Sequence, residues 1–260
     1  MPTTPLNRRS FPAPASAPAG ATALPPVLLL HGFAASGDED FIATGWPEAL
    51  AAAGRRVEVP DLPGHGSSAA VSGDAATTSA LVRALADVLA ELDGGDGVDV
   101  VGYSLGARLA WELPAATGRV RRLVLGGLSP FEPFAAVDVD AVAAAASGGG
   151  AVSGGETASG AGAARDPLAG MMAAMVSAPG RDTASLLALM AGLASQPFDP
   201  AGGGPTVPTL VAAGADDLMT TGLGAVAGAL PEATFVRVPG DHRGALDSAE
   251  FRAAVIRFLG

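Results

Sequence analysis

The chain has 260 residues, 49% of them hydrophobic, and a formal charge of −11. That length and apolar content suit one α/β domain with a substantial core, and an acidic chain without a basic patch excludes nucleic acid and anionic membranes as partners. There is no cysteine, all 15 basic residues are arginine, and only three histidines occur, which excludes disulfides, thiolate chemistry and Cys- or His-rich metal sites.

Residues 1–24 are rich in Pro, Ala, Ser and Thr and are expected to form a disordered tail. Arg8-Arg9-Ser10-Phe11 is similar to the start of a twin-arginine leader, but Pro12, Pro14 and Pro18 interrupt the apolar stretch that should follow. No 18-residue apolar run free of Pro, Gly or charge occurs, so no membrane span and a cytoplasmic location are expected. About six short Val- and Leu-rich strands follow in order, at 27–30, 56–59, 98–101, 123–125, 209–213 and 234–238. Most are apolar throughout rather than alternating, as parallel strands covered on both faces must be. Helical stretches fall between them, at 46–53, 77–92, 105–116, 223–229 and 248–259. The alternation stops between residues 129 and 208. This insertion, 130–207, opens with Pro130-Phe131-Glu132-Pro133-Phe134 and passes through a Gly/Ala/Ser tract at 147–164. Helices are expected after it at 167–177 and 183–194. The tract reads as a flexible linker, and a cap carried on such a linker is expected to move as a lid. Met171, Met172, Met175 and Met190 suit either an adaptable apolar pocket or plain core packing.

The chemistry concentrates where strands end. Gly102-Tyr103-Ser104-Leu105-Gly106 lies between a strand and a helix, the setting in which a serine is forced out on a strained turn with glycines relieving the crowding. A serine hydroxyl is a weak nucleophile without an adjacent base, and His242 in Pro239-Gly240-Asp241-His242 is the histidine placed to serve. Gly214-Ala215-Asp216-Asp217 supplies an acid after the preceding strand. Serine, aspartate and histidine therefore come in that order, each just past a strand, after His31-Gly32-Phe33 at the end of the first one.

On these landmarks the chain from about residue 27 to residue 260 resembles the α/β-hydrolase superfamily. The resemblance implies a mostly parallel sheet with helices on both faces and a core of 25–129 and 208–260. It also implies a cap inserted after the sixth standard strand. The two antiparallel strands that begin this fold have no counterpart legible here; the Pro-rich tail occupies their place. Ser104 would be the nucleophile, His242 its base and Asp217 the acid. The Gly-x-x-Asp spacing favours Asp217 over Asp216, with Glu132 a third choice. The N–H groups of Phe33 and Leu105 would form the oxyanion hole. His31 and His65 fall in scaffold loops of this superfamily. No cofactor is implied.

The run Gly-Tyr-Ser-Leu-Gly-Ala-Arg, residues 102–108, together with Asp61-Leu62-Pro63-Gly64-His65-Gly66-Ser67, resembles the menaquinone-pathway synthases of the superfamily, lyases that eliminate pyruvate. That likeness would give Arg108 a substrate carboxylate to bind and bring Tyr103 to the substrate; the alternative for Arg108 is a salt bridge on the helix surface. Ala107 stands where a second glycine is common, and the cap offers only Arg165 and Arg181 as basic candidates. The expected function is a serine hydrolase for a small apolar ester, monomeric or weakly dimeric, with Tyr103, Arg108 and Met175 as candidate substrate contacts. The alternatives are a pyruvate-eliminating lyase and a non-catalytic small-molecule binder.

Overall fold

A computed structural model describes residues 5–13, 24–93, 95, 97–148 and 167–260. A seven-stranded sheet of order β1-β3-β2-β4-β5-β6-β7 spans the molecule. Its strands are β1 (Arg8–Phe11), β2 (Val27–Leu30), β3 (Val57–Pro60), β4 (Val98–Tyr103), β5 (Val120–Gly126), β6 (Thr209–Gly214) and β7 (Ala233–Val238). Every pairing is parallel except β1 with β3.

The strand β1 corrects two expectations, the disordered tail over 1–24 and the sheet of about six strands. Only Phe11 of its four residues is apolar, so little in their hydropathy marks a strand. They are held instead by paired charges. Asp61 accepts from both terminal nitrogens of Arg9 at 3.0 and 2.9 Å, Arg8 pairs with Glu91 at 2.9 Å, and Ser10 donates to Glu58 at 2.5 Å. The two arginines that resemble a leader motif are thus the rivets of an edge strand. Asp61 also accepts from the backbone N–H groups of Ser67 and Gly37. Burial opposes its ionisation, yet these hydrogen bonds hold its carboxyl down at about 2.

Because successive strand residues face opposite sides, β2 divides its side chains between two cores. Leu28 and Leu30 join the larger one, beneath α2 (Thr78–Glu91) and α3 (Leu105–Ala116). Val27 and Leu29 join the other, with Phe41 and with Trp46 and Leu50 of α1 (Trp46–Ala52). In α2 the residues Leu81, Val82, Leu85, Val88 and Leu89 recur at helical spacing and are all buried.

Among its described residues the insertion carries three α-helices, α4 (Val139–Ser147), α5 (Pro167–Val176) and α6 (Thr183–Ser195). The first was not expected; its run of small alanines has little periodicity, and Asp138 starts it by accepting from the Ala141 N–H. Val142, Met172, Val176, Leu189 and Leu193 are buried in the same core as Leu28, so this side of the cap is built into the body of the protein. The linker tract expected at 147–164 falls almost wholly outside the described residues, as does Arg165. Three short helices complete the chain, α7 (Leu223–Gly228), α8 (His242–Asp247) and α9 (Ala249–Leu259). No helix among the described residues is long and apolar enough to cross a membrane.

Candidate active site

The carboxyl ends of β2, β4, β6 and β7 converge on one spot. Between β4 and α3 the chain turns so sharply that Ser104 adopts φ 53°, ψ −114°, a conformation costly to any residue with a Cβ. The glycines on either side are sterically required. A Cβ on Gly106 would collide with the Leu30 carbonyl, and one on Gly102 with the Gly106 carbonyl.

His242 begins α8 and reaches both partners. Its Nδ1 lies 2.8 Å from Asp217 Oδ2 and its Nε2 lies 3.0 Å from Ser104 Oγ. Asp217 is buried and its other oxygen accepts from the Met219 N–H at 3.0 Å; Asp216 is exposed. Glu132 is engaged elsewhere. The carboxylate therefore reaches the imidazole from Asp217 alone of the three acids weighed from sequence.

The loop after β2 runs over the nucleophile. Gly32 donates its N–H to Asp40 Oδ2 at 2.8 Å, and Ala34 donates to His65 Nε2 at 3.1 Å. The N–H of Phe33, between them, has no partner among the described residues. Leu105 is the first residue of α3, so its N–H has no intrahelical acceptor either. Two histidines fix the loop from below. His31 Nε2 accepts from the Leu62 N–H at 2.9 Å while its Nδ1 donates to the Gly32 carbonyl. His65 Nδ1 donates to the Pro63 carbonyl. Both roles require the neutral ring. Burial pulls His31 down to about 4, and burial reinforced by the neighbouring His31 pulls His65 down to about 3.

Above Ser104 opens a cavity of about 490 Å³. Its walls are mainly apolar, from Phe33, Leu128, Phe131 and Phe134 on one side and Leu168, Met171, Met172, Met175 and Met219 on the other. Met175 is thus at the cavity, Met190 is buried in the core, and Met219 is a contact that sequence reasoning missed. It follows Asp217 by two residues, and its place beside a candidate acid was the available signal.

Two expected substrate contacts stand differently. Tyr103 does not line the cavity. As the last residue of β4 it shares the face of Val101, packs near Phe251 and donates its hydroxyl to the His242 carbonyl at 2.5 Å; burial raises its ionisation well above the ordinary phenol range. Arg108 does reach the cavity wall, but its Nε pairs with Glu132 at 2.6 Å and its Nη2 donates to the Gln196 carbonyl at 2.6 Å. Glu132 in turn accepts from the N–H groups of Phe134 and Phe198. The salt-bridge alternative for Arg108 is the arrangement observed, though the pair is buried rather than on the surface. No group of three or more His, Asp or Glu side chains among the described residues could hold a metal ion.

Residues 25–150 match the family model of the alpha/beta hydrolase fold. Nearly the whole chain superposes on solved structures of that fold. A hydrolase from Pseudomonas aeruginosa PA01 matches with a TM-score of 0.69 and 22% identity, over 97% of this chain and 93% of that one. The enol-lactonase from Burkholderia xenovorans LB400 matches with a TM-score of 0.67 and 21% identity, over 98% and 96%. MenH from S. aureus matches with a TM-score of 0.68 and 15% identity, over 97% of each chain. Comparison with curated proteins returns no match. The chain has the α/β-hydrolase fold, and the solved structures that share it include hydrolases.

Proposed function

We propose that the protein is a serine hydrolase that cleaves an uncharged, apolar ester through an acyl-enzyme. The observation that carries this reading is the single imidazole lying 2.8 Å from a buried carboxylate and 3.0 Å from a strained serine hydroxyl. In the first half-reaction Ser104 Oγ bonds to the ester carbonyl carbon as its proton passes to His242 Nε2. Asp217 holds the Nδ1 proton and stabilises the resulting cation. The oxyanion meets the N–H groups of Phe33 and Leu105, at the mouth of the α3 dipole. His242 then protonates the departing alcohol, and water repeats the cycle on the acyl group.

The cavity argues for the substrate class. Its long walls are aliphatic and aromatic, and its one arginine is already neutralised by Glu132. Among the described residues that line it, a polyanionic substrate of the kind the lyase reading requires would meet no cation without a paired carboxylate. No cofactor enters the scheme, and the protein is proposed to act on a small molecule as a monomer or weak dimer in the cytoplasm.

The test is a series of p-nitrophenyl esters of increasing acyl length, run beside an assay for pyruvate release from the synthase substrate. Ester turnover abolished by Ser104→Ala supports the hydrolase. Pyruvate release with no esterase activity would replace it with the lyase, and neither activity would favour the binder.

A further inference from the structure

Asp40 lies between two parts of the proposed site. It is buried at 3% exposure, a depth that carboxylates reach almost only when paired, and both its oxygens are engaged. Oδ2 accepts from the Gly32 N–H at 2.8 Å, and Oδ1 pairs with Arg243 Nη1 at 2.5 Å. Gly32 precedes Phe33, whose N–H is free, and a Cβ on Gly32 would sit 3.5 Å from Ser104 Cβ. Arg243 follows His242 in α8. Its other terminal nitrogen donates to the Glu39 carbonyl at 2.9 Å, and its Nε pairs with Asp247 at 3.2 Å. One carboxylate thus joins a segment near residue 32 to one near residue 242, and it does so beside the nucleophile.

We propose that Asp40 and Arg243 are positioning residues that set the distance between the oxyanion donor of Phe33 and the imidazole of His242. This rests on the hydrolase reading above. The other contacts of each part are made with different neighbours. The loop is pinned from below through His31 and His65 to the residue 61–65 segment, whereas His242 is held by Asp217 and by the Tyr103 hydroxyl. Either set can hold its own part in place while the gap between them changes. The Asp40–Arg243 bridge is the ion pair that spans the gap. Acyl transfer needs both at once, because the oxyanion and the imidazolium form in the same step. Small errors in such geometry cost about 10²-fold when they reach an ångström.

The experiment uses Arg243→Ala, Arg243→Lys, Asp40→Asn and the Asp40→Asn/Arg243→Ala double variant. Asparagine keeps an oxygen for the Gly32 N–H and loses the charge that holds the arginine. Arg243→Ala and Asp40→Asn are each expected to lower kcat for p-nitrophenyl esters by about 10- to 100-fold with KM within about twofold. The double variant should be no slower than the worse single, and Arg243→Lys should recover part of the loss. The rate at which a fluorophosphonate labels Ser104 should fall in parallel, since phosphonylation develops the same oxyanion. Single losses that multiply in the double variant would overturn the proposal. So would a drop confined to the melting temperature, with kcat per folded molecule unchanged. A wild-type protein that the probe does not label would overturn the hydrolase reading itself, and the bridge with it. Normal labelling of the wild type and of all four variants would overturn the bridge alone.

Discussion

The two ends of the sheet hold similar groups and use them differently. At the amino end, Asp99 in β4 is fully buried and accepts from Arg55 at 3.0 Å and from Arg121 at 2.5 and 2.9 Å. Arg55 also donates to the Pro25 carbonyl at 2.8 Å and to the Leu259 carbonyl. Each carboxylate oxygen has an arginine, and the cluster is closed. At the carboxyl end, past the last residues of β6 and β7, a buried carboxylate again meets a basic side chain. There the base is an imidazole whose side chain is 31% exposed, and its far nitrogen reaches a hydroxyl on a strained turn beside a cavity. A saturated charge cluster fastens the chain. The same ingredients with one valence left open, on a strained backbone, form a site that can act.

This contrast can be broken first at the open end. Ser104→Ala and His242→Ala are each expected to cut ester turnover by at least about 10³-fold, and the double variant should be little worse than either, because the groups act as a unit. Asp217→Asn should approach the same loss while Asp216→Asn leaves turnover near normal; the reverse result would mean that the neighbouring aspartate carries the role.

At the closed end the effect should appear in stability and not in chemistry. Asp99→Ala leaves two arginines facing a buried hole and should cost about 3–5 kcal/mol in denaturant unfolding. Turnover per folded molecule should be unchanged. A specific loss of kcat in the folded fraction would erase the distinction between the two ends.

The scaffold histidines sharpen it further. Their folded pKa values lie below the unfolded 6.5, so the unfolded chain binds more protons as pH falls. Stability is complete above about pH 6.5 and is lost on acidification toward about 4 for His31 and about 3 for His65. Between pH 7 and pH 5 each should remove about 2 kcal/mol. Denaturant melts at the two pH values check this, and His65→Gln should flatten the slope. A flat stability profile would show that neither ring is held neutral.

The smallest expected effect lies in the cavity wall. Met175→Trp narrows the apolar space and should depress kcat/KM for long acyl esters relative to acetyl esters by about 1–3 kcal/mol. An equal effect on both lengths would mean that Met175 only packs the cap.

The strands β2, β4 and β6, which lead into the candidate site, were legible because they are buried along their whole length and a glycine stands within or just after each. Val27–Leu30 and the helix Leu105–Ala116 were placed to the residue. Ser104, Asp217 and His242 were legible for the same reason, since strand ends bring distant segments together in this topology. What escaped notice in the sheet was held by charge rather than by apolar pattern. The strand β1 is fastened through Arg8, Arg9 and Ser10, and the first half of β5 is hidden behind Arg121 and Arg122, one of which neutralises Asp99. Tyr103 was placed at the substrate through the likeness of residues 102–108 to the pyruvate-eliminating synthases. As the last residue of β4 it shares the face of Val101, and its ring lies against His242 instead of the cavity. The partner of Arg108 lies 24 residues away, across a loop that sequence spacing does not close.

The most direct measurement is intact-mass and peptide-mapping analysis of the protein after reaction with a fluorophosphonate. A single adduct on Ser104, formed by the wild type, absent in Ser104→Ala and slowed in His242→Ala, is the result expected of a nucleophile driven by its histidine. No adduct on the folded wild-type protein, or an adduct on another residue, would contradict it.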